Sequence, residues 1–403
     1  MKYDIFFLCQ FFYPEHNSSA TLPFDTAKHF AQSGYSVGVL CGYPKEYTND
    51  DDIPICEEID GVHIHRVKYI QLGRRRKLSR LINYFSFTLA LLLRLFEIKN
   101  YKVVIVYSNP PVLPIATILA KKLFKTKIIF VSYDVYPEVA YASNTLNEQS
   151  FISRVMRLIN RWLFKLVDAV VALTDEMRDF ILRHRQGITA DKVITIPNWA
   201  HESVCCDKKK AREKFGFSNE DFVVSYFGNL GICQDETALL SAMSLLKDRK
   251  NIKFFVAGHG SKLQSVAAFA KDLPNVKVCN FLTDSEFEQA IAASSCGVIS
   301  LQTGLIGTCA PSKYYSYLQG GLPVLAVAEE SSYLAKDVLQ HQIGCWTPVG
   351  DGAALANAIV TMQDSPAQMK EMAERADGLY KKCYSMQLAM EKYSDLLNDV
   401  LSS

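Results

Sequence analysis

The sequence places a lysine at the predicted start of a helix, where an anion could bind. Pro311, Ser312 and Lys313 follow an apolar strand and a glycine-bearing loop, and Pro311 suits a first helical turn. The free amides and partial positive charge of a helix N-terminus attract anions, and Lys313 adds a full charge there. The chemistry therefore favours a phosphate or diphosphate ligand, although a solvated lysine in an ordinary βαβ crossover would show the same pattern.

The first half of the chain carries polar side chains directly after two predicted strands, at the edge where open α/β sheets bind ligands. The loop after the first strand has no glycine, which argues against a dinucleotide-binding turn and an oxidoreductase. After another strand, Asp134 and Glu138 could orient a hydroxyl or take its proton, or simply form a capping contact and a salt bridge. The first loop offers five polar candidates, of which Asn17 and the two serines could equally be helix caps: Glu15, His16, Asn17, Ser18 and Ser19.

Two glycine-bearing loops follow predicted strands of the second half and would let a ligand approach the backbone closely. Plain glycine turns show the same pattern, and a single Gly-x-Gly is weak evidence. The first of these loops mirrors the polar loop of the first half, which suggests a ligand held between two sheet edges. The candidate residues are Gly228, Asn229, Gly231 and Gln234 in one loop, and Gly258 and Gly260 in the other.

Composition narrows the class of protein. A chain of 403 residues exceeds what one hydrophobic core usually serves, so two domains are expected. A net charge of +2 gives no global attraction to nucleic acid. The 11 cysteines show no metal-ligand spacing and fit buried, reduced thiols of a cytosolic protein. Because the chain enters a strand directly after Met1, we expect no signal peptide.

Apolar runs alternate with helical segments in both halves, which predicts two doubly wound α/β domains. We place one domain at 1–198, a second at 199–383, and an amphipathic terminal segment at 384–403 that could cross back to the first. Predicted helices include Thr21–Gln32, Asp235–Leu246 and Asp284–Ala293. The predicted strands are Ile5–Cys9, Val37–Cys41, Val103–Tyr107, Ile128–Ser132, Ala169–Leu173, Val223–Phe227, Phe254–Ala257, Val276–Phe281, Gly297–Leu301 and Val324–Val327.

A basic stretch precedes the most apolar long segment of the chain, which ends at Leu95. That segment is short and polar for a membrane span, which needs about 20 apolar residues. Each cation near an anionic membrane contributes about 1 kcal/mol, and Phe85, Phe87 and leucines would insert partially. This predicts reversible membrane docking, with an interior helix and a solvated entry as the alternative. The basic residues are Arg74, Arg75, Arg76, Lys77 and Arg80.

Taken together, the motifs resemble those of a GT-B glycosyltransferase of family 4, in the branch similar to the bacterial N-acetylfucosamine transferase of surface-polysaccharide synthesis. The resemblance spans nearly the whole chain. The matching motifs are Phe12-Tyr-Pro-Glu15, Asp134-Val-Tyr-Pro-Glu138, Ile196-Pro-Asn-Trp199, Gly228-Asn-Leu-Gly231 with Gln234, and Pro311-Ser-Lys313 with Gly321-Leu-Pro-Val324.

The resemblance implies two Rossmann-like domains facing a cleft, an N-terminal one for the acceptor and a C-terminal one for a nucleotide sugar. It implies a retaining hexosyltransferase that needs no metal or other cofactor and moves a sugar, with UDP-N-acetylhexosamine favoured, to a lipid-linked glycan. Capsule or O-antigen synthesis at the inner face of the cell membrane would follow, and a complex with other glycan-synthesis enzymes stays open. It assigns catalysis to Glu15, His16, Asp134, Glu138 and Lys313, and donor binding to Ser18, Ser19, Gly228, Asn229, Gly231, Gln234, Gly258, Gly260, Leu282, Pro311, Ser312 and Lys313.

The sequence also departs from the family's pattern. Ser18-Ser19 replace the usual glycine pair, and Gln234-Asp-Glu236 stand where many members have Arg-Lys. Thr308 and Ser316 occupy the positions of the two acids of the Glu-x7-Glu motif, so Lys313 is expected to carry most of the diphosphate charge. Two alternatives stay open: a sugar-nucleotide 2-epimerase of the same fold, and a catalytically degenerate subunit that binds nucleotide sugar.

Overall fold

The computed structural model describes residues 3–45, 48, 52–73, 77–201, 206–280 and 282–402. These residues form two compact units. The first contains residues 1–197, 307–310 and 387–403, and the second contains 198–306 and 311–386. The division differs from the expected boundaries in three places. Asn198 and residues 384–386 group with the second unit, and residues 307–310 group with the first.

The elements of the first unit alternate between strand and helix. Its strands are β1 (Tyr3–Cys9), β2 (Val37–Gly42), β3 (Cys56–Ile59), β4 (Val62–Val67), β5 (Tyr101–Tyr107), β6 (Lys127–Ser132), β7 (Ala169–Ala172) and β8 (Val193–Thr195). Its helices up to residue 197 are α1 (Ser18–Gln32), α2 (Lys77–Leu92), α3 (Pro114–Phe124), α4 (Glu138–Ala142), α5 (Phe151–Leu166) and α6 (Asp175–His184).

The second unit repeats this alternation, after which the chain returns to the first. Its strands are β9 (Phe222–Asn229), β10 (Ile252–His259), β11 (Val276–Cys279), β12 (Cys296–Ser300), β13 (Val324–Val327) and β14 (Gly344–Thr347). Its helices are α7 (Lys208–Phe215), α8 (Thr237–Leu245), α9 (Leu263–Ala270), α10 (Asp284–Ala293), α11 (Lys313–Gln319), α12 (Tyr333–Gln340), α13 (Gly352–Gln363) and α14 (Pro366–Leu379), followed by the terminal helix α15 (Met386–Ser402).

The sheet of the first unit has the order β3-β4-β2-β1-β5-β6-β7-β8 and is parallel except for the β3–β4 hairpin. Its central strands are buried on both faces, which explains their continuous apolar runs. Along β1, Phe6 and Leu8 point into one core, whereas Phe7 lies on the other face, with its ring centroid 6.5 Å from that of Phe30 in α1.

Helices cover the two faces of this sheet separately. The core beneath Phe6 and Leu8 contains Phe87 of α2, Ala116 of α3 and Leu163 of α5, so these helices form one layer. Helices α1 and α15 cover the opposite face, where His29 and Ser394 are joined by a 2.9 Å side-chain hydrogen bond. This arrangement follows from right-handed crossovers that run in opposite directions from β1 and β5.

The sheet of the second unit is parallel throughout, in the order β11-β10-β9-β12-β13-β14. The central strand β9 and its neighbour β10 stay paired to their ends, where Gly258 lies beside Gly228 and His259 beside Asn229. The strand-end loops of β9, β10 and β12 therefore meet at one edge of the sheet.

Most predicted elements are present. The helix predicted at Asp284–Ala293 has those bounds, since Thr283 and Glu286 form a capping box at its start. Four strands were not predicted, because they are short or carry charged residues: β3, β4, β8 and β14. The helix expected from Pro311 begins at Lys313 instead and has seven residues.

Candidate functional site

Lys313 lies at the strand-end edge of the second unit, above an aromatic ring. Its Nζ is 3.5 Å from the centroid of the Tyr226 ring and 3.5 Å from the carbonyl oxygen of Asn229. Burial lowers the pKa of Lys313 well below its ordinary value. In the described part of the chain, no carboxylate forms an ion pair with it. An ammonium held in this way gains an electrostatic partner when an anion binds.

The side chains beneath Lys313 are fixed by packing and hydrogen bonds. Tyr226 is fully buried, and its hydroxyl donates to the carbonyl of Asn229 at 3.4 Å. Tyr317, one turn after Lys313 on α11, accepts a 2.9 Å hydrogen bond from the backbone amide of Phe227. Burial raises the pKa of both tyrosines, so both remain neutral. The lysine therefore rests on a rigid, uncharged platform.

The glycines of the two neighbouring loops are required by backbone packing. A Cβ at Gly258, which has a φ of +146°, would lie 2.0 Å from the carbonyl oxygen of Gly228. A Cβ at Gly260 would lie 2.4 Å from the carbonyl oxygen of Leu230. At Gly228, with a φ of +93°, a Cβ would be 3.8 Å from Cε of Lys313. Gly258 and Gly260 thus bring the loops together, and Gly228 borders the lysine.

Gln234 and its neighbours stabilise the loop after β9. The Oε1 atom of Gln234 accepts a 2.8 Å hydrogen bond from the amide of Gly231, so this side chain closes its own loop. Asp235 caps α8 and accepts a 3.0 Å hydrogen bond from the amide of Gly350. Gln234 was expected to contact a donor, and this geometry favours a structural role for it.

Lys262 also lies at this edge of the sheet, although the sequence did not identify it as a candidate site residue. Its Nζ donates to the carbonyl oxygen of Gln234 at 2.6 Å and forms an ion pair with Glu236. Lys262 lies two residues after Gly260. Its position directly after a strand-end glycine loop is the pattern in the sequence that could have identified it. Lys262 thus cross-links the loops after β9 and β10.

The remaining candidates of the second unit lie around this edge. Burial and the nearby charge of Lys313 lower the pKa of His259. Leu282 is half-buried and directly precedes the capped start of α10. Pro311 and Ser312 lie before α11, where their carbonyl oxygens accept hydrogen bonds from the amides of Tyr314 and Tyr315, both at 3.2 Å.

The loop after β1 in the first unit is anchored from β4. The guanidinium of the fully buried Arg66 donates to the carbonyl of Tyr13 at 2.9 Å and forms an ion pair with Glu57. Glu15 is 4% exposed in this loop. Arg66 was not among the candidates, because β4 carries charged and histidine side chains and was not predicted as a strand.

The start of α1 lies beside this loop. His16 and Ser18 are exposed there, and Ser19 is half-buried. Asn17 occupies the N-cap position, yet its side chain makes no capping hydrogen bond. The buried Nδ2 of Asn17 also has no hydrogen-bond partner among the described residues. A polar atom in this situation is a candidate ligand contact.

Asp134 follows β6, and the pKa of its carboxyl group is strongly shifted. Burial raises the pKa of Asp134 to about 6. Its backbone forms a bridge to Cys309, and the neighbouring amide of Val135 donates to the carbonyl of Thr308 at 2.8 Å. The amide of Asp134 also donates to Oγ of Ser108 at 3.2 Å. A carboxyl group with this pKa can exchange a proton near neutral pH.

Glu138 is held in an ion pair. Nη1 and Nη2 of Arg185 both donate to its carboxylate, Nη1 at 2.8 Å, and the Arg185 side chain is 7% exposed. Arg185 also donates to the carbonyl of Tyr136 at 3.1 Å. This bidentate pair fixes the loop from Asp134 to Glu138, so the geometry favours a positioning role for Glu138 over proton transfer.

The structure describes only part of the segment that was predicted to dock onto a membrane. Arg74, Arg75 and Arg76, with the side chain of Lys77, lie outside the described residues, and Arg80 is half-buried. Phe85 is 56% exposed on α2, but Phe87 is fully buried in the core, so the expected insertion of Phe87 is wrong. Among the described helices, none is long and apolar enough to cross a bilayer.

The described ranges contain no cluster of three or more His, Cys, Asp or Glu side chains arranged to hold a metal ion.

Both units of the chain match models of known protein families. Residues 24–199 match the family model "Glycosyl transferase 4-like domain", and residues 221–365 match "Glycosyl transferases group 1". The two matches cover most of the chain. With the two Rossmann-like sheets, they show that the chain is a GT-B glycosyltransferase.

The sequence identity of the chain to individual known proteins is low. The chain is 25% identical over 337 residues to "Probable glycosyltransferase WbjE" of Pseudomonas aeruginosa, covering 81% of each chain. Among solved structures, WaaG, a glycosyltransferase involved in lipopolysaccharide biosynthesis, aligns with a TM-score of 0.73 at 15% identity, over 98% of this chain and 99% of that one. Anabaena HepE in complex with UDP-glucose aligns with a TM-score of 0.72 at 15% identity, over 98% and 100%. At these identities the structural likeness concerns the fold.

Proposed function

We propose that this glycosyltransferase moves a sugar from a nucleotide-sugar donor, bound by the second unit, to a lipid-linked glycan acceptor, bound by the first, in the synthesis of cell-surface polysaccharide. The observation that carries the proposal is the ammonium of the half-buried Lys313, 3.5 Å from the centroid of the Tyr226 ring and without a carboxylate partner among the described residues. An unneutralised cation at a strand-end edge suits the diphosphate of a nucleotide sugar.

The donor's leaving group explains why a lysine at this edge of the sheet is useful. When the bond between the sugar and the diphosphate breaks, negative charge develops on the leaving phosphate oxygen, and Lys313 would stabilise it. Gly228 would admit the diphosphate beside the lysine, since a side chain there would approach Cε of Lys313. The UDP-glucose complex of HepE supports a UDP-sugar, and the motif resemblance favours an N-acetylhexosamine.

The acceptor would bind at the polar loops of the first unit. Asp134, with a pKa of about 6, would orient the attacking hydroxyl, and Nδ2 of Asn17 would donate to the acceptor glycan. Glu15 and His16 would line the same loop. Glu138 would act through Arg185, which holds the backbone of this segment in place.

We propose that transfer retains the anomeric configuration by attack on the face from which the diphosphate leaves. The acceptor oxygen would form a bond to the anomeric carbon as the bond from that carbon to the phosphate oxygen breaks. The acceptor proton would pass to the departing phosphate oxygen, so this scheme uses no protein nucleophile. It uses no metal or other cofactor either, because Lys313 would stabilise the leaving group.

The acceptor class implies a location. A lipid-linked glycan remains in the membrane, so we expect the protein to bind the cytoplasmic face of the cell membrane. The exposed Phe85 and Leu89 of α2, with Arg80 on the same helix, support this contact. The basic residues 74–77 would add to it.

The decisive experiment incubates the pure protein with a panel of nucleotide sugars, with and without a lipid-linked monosaccharide. Mass spectrometry follows both the nucleotide and the lipid. Acceptor-dependent release of nucleoside diphosphate with a matching mass gain on the lipid would support the proposal. Release without acceptor, with a free N-acetylmannosamine-type sugar, would instead identify a 2-epimerase.

Donor binding without product from any pair would favour the binding-only subunit. Thr308 and Ser316, which stand where the family has two acids, make this the second candidate.

A further inference from the structure

Helix α5 of the first unit has an unusual outer face. Its buried side contains Ser153, Met156, Leu163 and Phe164. Large apolar residues spaced three or four apart remain exposed along another side, among them Phe151 at 77%, Leu158 at 55% and Trp162 at 47%. Because residues at this spacing share a helix face, they form a continuous apolar stripe that the chain leaves in solvent.

A basic stripe runs beside the apolar one. Arg154, Arg157 and Arg161 are all exposed at the same helical spacing. Arg157 is oriented by hydrogen bonds to the hydroxyl of Tyr141 and the carbonyl of Glu148, both at 3.0 Å. A shallow, open pocket of about 520 Å³ at the start of α5 is lined by Glu148, Gln149, Arg154 and Arg157. Its two arginines outnumber its one acid, so the pocket is net positive.

The surface continues onto the neighbouring helices of the same layer. Lys122 of α3 lies 4.3 Å from the ring centroid of Trp162, and Leu119 and Leu123 of α3 are exposed. Phe96 is exposed, and its ring centroid lies 5.9 Å from that of Phe124. The sequences of α2, α3 and α5 contain no aspartate or glutamate, so the charged side chains of these three helices are all cations.

We propose that the outer face of α5, together with the adjoining face of α3, docks onto an anionic lipid bilayer. Apolar side chains would insert at the boundary between headgroups and acyl chains, and the arginines would bind headgroup phosphates. Tryptophan suits this boundary because its ring is apolar and its indole N–H is polar. An acid-free pair of helices is complementary to anionic lipid. The residues of this surface differ from those of the basic entry to α2, on which the predicted docking rested.

Docking through α5 would also place the acceptor loop near the bilayer. Nδ2 of Asn160, on the inner side of α5, donates to the carbonyl of Tyr136 at 2.7 Å. The loop that carries Asp134 is therefore attached directly to the docking helix. This consequence rests on the proposed function, whereas the docking itself requires no donor, acceptor or turnover.

The test uses vesicles of equal parts phosphatidylglycerol and phosphatidylcholine, with pure phosphatidylcholine vesicles for comparison. The variant R154Q/R157Q/R161Q should partition onto the anionic vesicles about 100-fold more weakly than the native protein, since each cation contributes a factor of about five. K208Q/K209Q/K210Q, which removes three exposed cations from α7, is the matched control and should bind like the native protein. Equal binding by the arginine variant and its control would overturn the proposal.

A second measurement needs no charge change. Of the three tryptophans, Trp199 is buried and Trp346 is half-buried, which leaves Trp162 as the exposed one. Brominated lipids in the anionic vesicles should quench the fluorescence of the native protein but leave that of W162F almost unchanged. Vesicle binding without quenching would show that another face docks, and would refute the assignment to α5. Neither result depends on whether the protein transfers a sugar.

Discussion

Replacing Lys313 with methionine tests the donor site most directly. Methionine keeps the length and apolar contact of the side chain over Tyr226 but removes the ammonium, whose Nζ lies 3.5 Å from the ring centroid. The fold should tolerate this change. Because burial lowers the pKa of Lys313, the charged form is disfavoured in the folded state, and removing the charge lifts that cost. We expect the melting temperature of K313M to stay the same or rise.

Activity should respond in the opposite direction. At an effective dielectric constant of about 20, an ammonium about 4 Å from a phosphate charge contributes about 4 kcal/mol, roughly three orders of magnitude in rate. Water entering the altered site lowers this figure, so we expect kcat/KM to fall by a factor of about 100 to 1,000. The assay is release of nucleoside diphosphate with the lipid acceptor. Lys336→Met, at an exposed lysine of α12, is the matched control and should retain native turnover.

Calorimetry supplies a readout that a general structural role would not change. An anion beside Lys313 raises its lowered pKa, so UDP binding should take up a proton above that lowered pKa. Proton uptake appears as a binding enthalpy that depends on the ionisation heat of the buffer. It should disappear in K313M. A variant with turnover within about threefold of native and unchanged proton uptake would refute the assignment of Lys313 to the diphosphate.

Three further predictions concern the scaffold and the acceptor loop. Burial raises the pKa of Asp134 from its ordinary value of 3.8 to about 6, so the folded state binds a proton more tightly than the unfolded chain. Stability should therefore fall as pH rises from about 4 to about 6. Urea titrations across this pH range should show the slope for the native protein and lose it for Asp134→Asn. Arg185→Met should destabilise the first unit by about 3 kcal/mol by leaving the carboxylate of Glu138 unpaired, and Glu138→Gln in the same background should recover part of that loss in chemical denaturation. Gly258→Ala should lower the melting temperature by several degrees through a backbone clash. The control is Gly378→Ala, which should not lower it, because a Cβ at Gly378 meets nothing within 4 Å. Equal melting temperatures of the two variants would contradict the packing argument.

The fold was largely predictable because parallel strands buried on both faces must be apolar. The runs at Val103–Tyr107 and Val324–Val327 show this directly, and both form strands. The capped helix at Asp284–Ala293 was equally clear, since its capping box is local in sequence. By contrast, β4 carries His63, His65 and Arg66 between its apolar residues and was not predicted.

The site was predictable in part. Lys313, Gly228 and Asp134 were identified because strand ends of α/β sheets collect functional residues. Lys262 and Arg66 were missed, because their roles come from hydrogen bonds to residues 28 and 53 positions away. Pairings of this separation depend on how strands align, which no local pattern contains.

The sequence by itself determined that the chain forms two Rossmann-like domains with glycosyltransferase motifs, because hydrophobic periodicity and short motifs are local properties. The tertiary structure decided what the individual side chains do. In the folded chain Glu138 pairs with Arg185, 47 residues away, so Glu138 is not a free carboxylate. It set Lys313 on the ring of Tyr226, and it left the arginines of α5 exposed beside Trp162. The physical reason is that burial and charge pairing are set by neighbours in space, which packing brings together from distant parts of the chain.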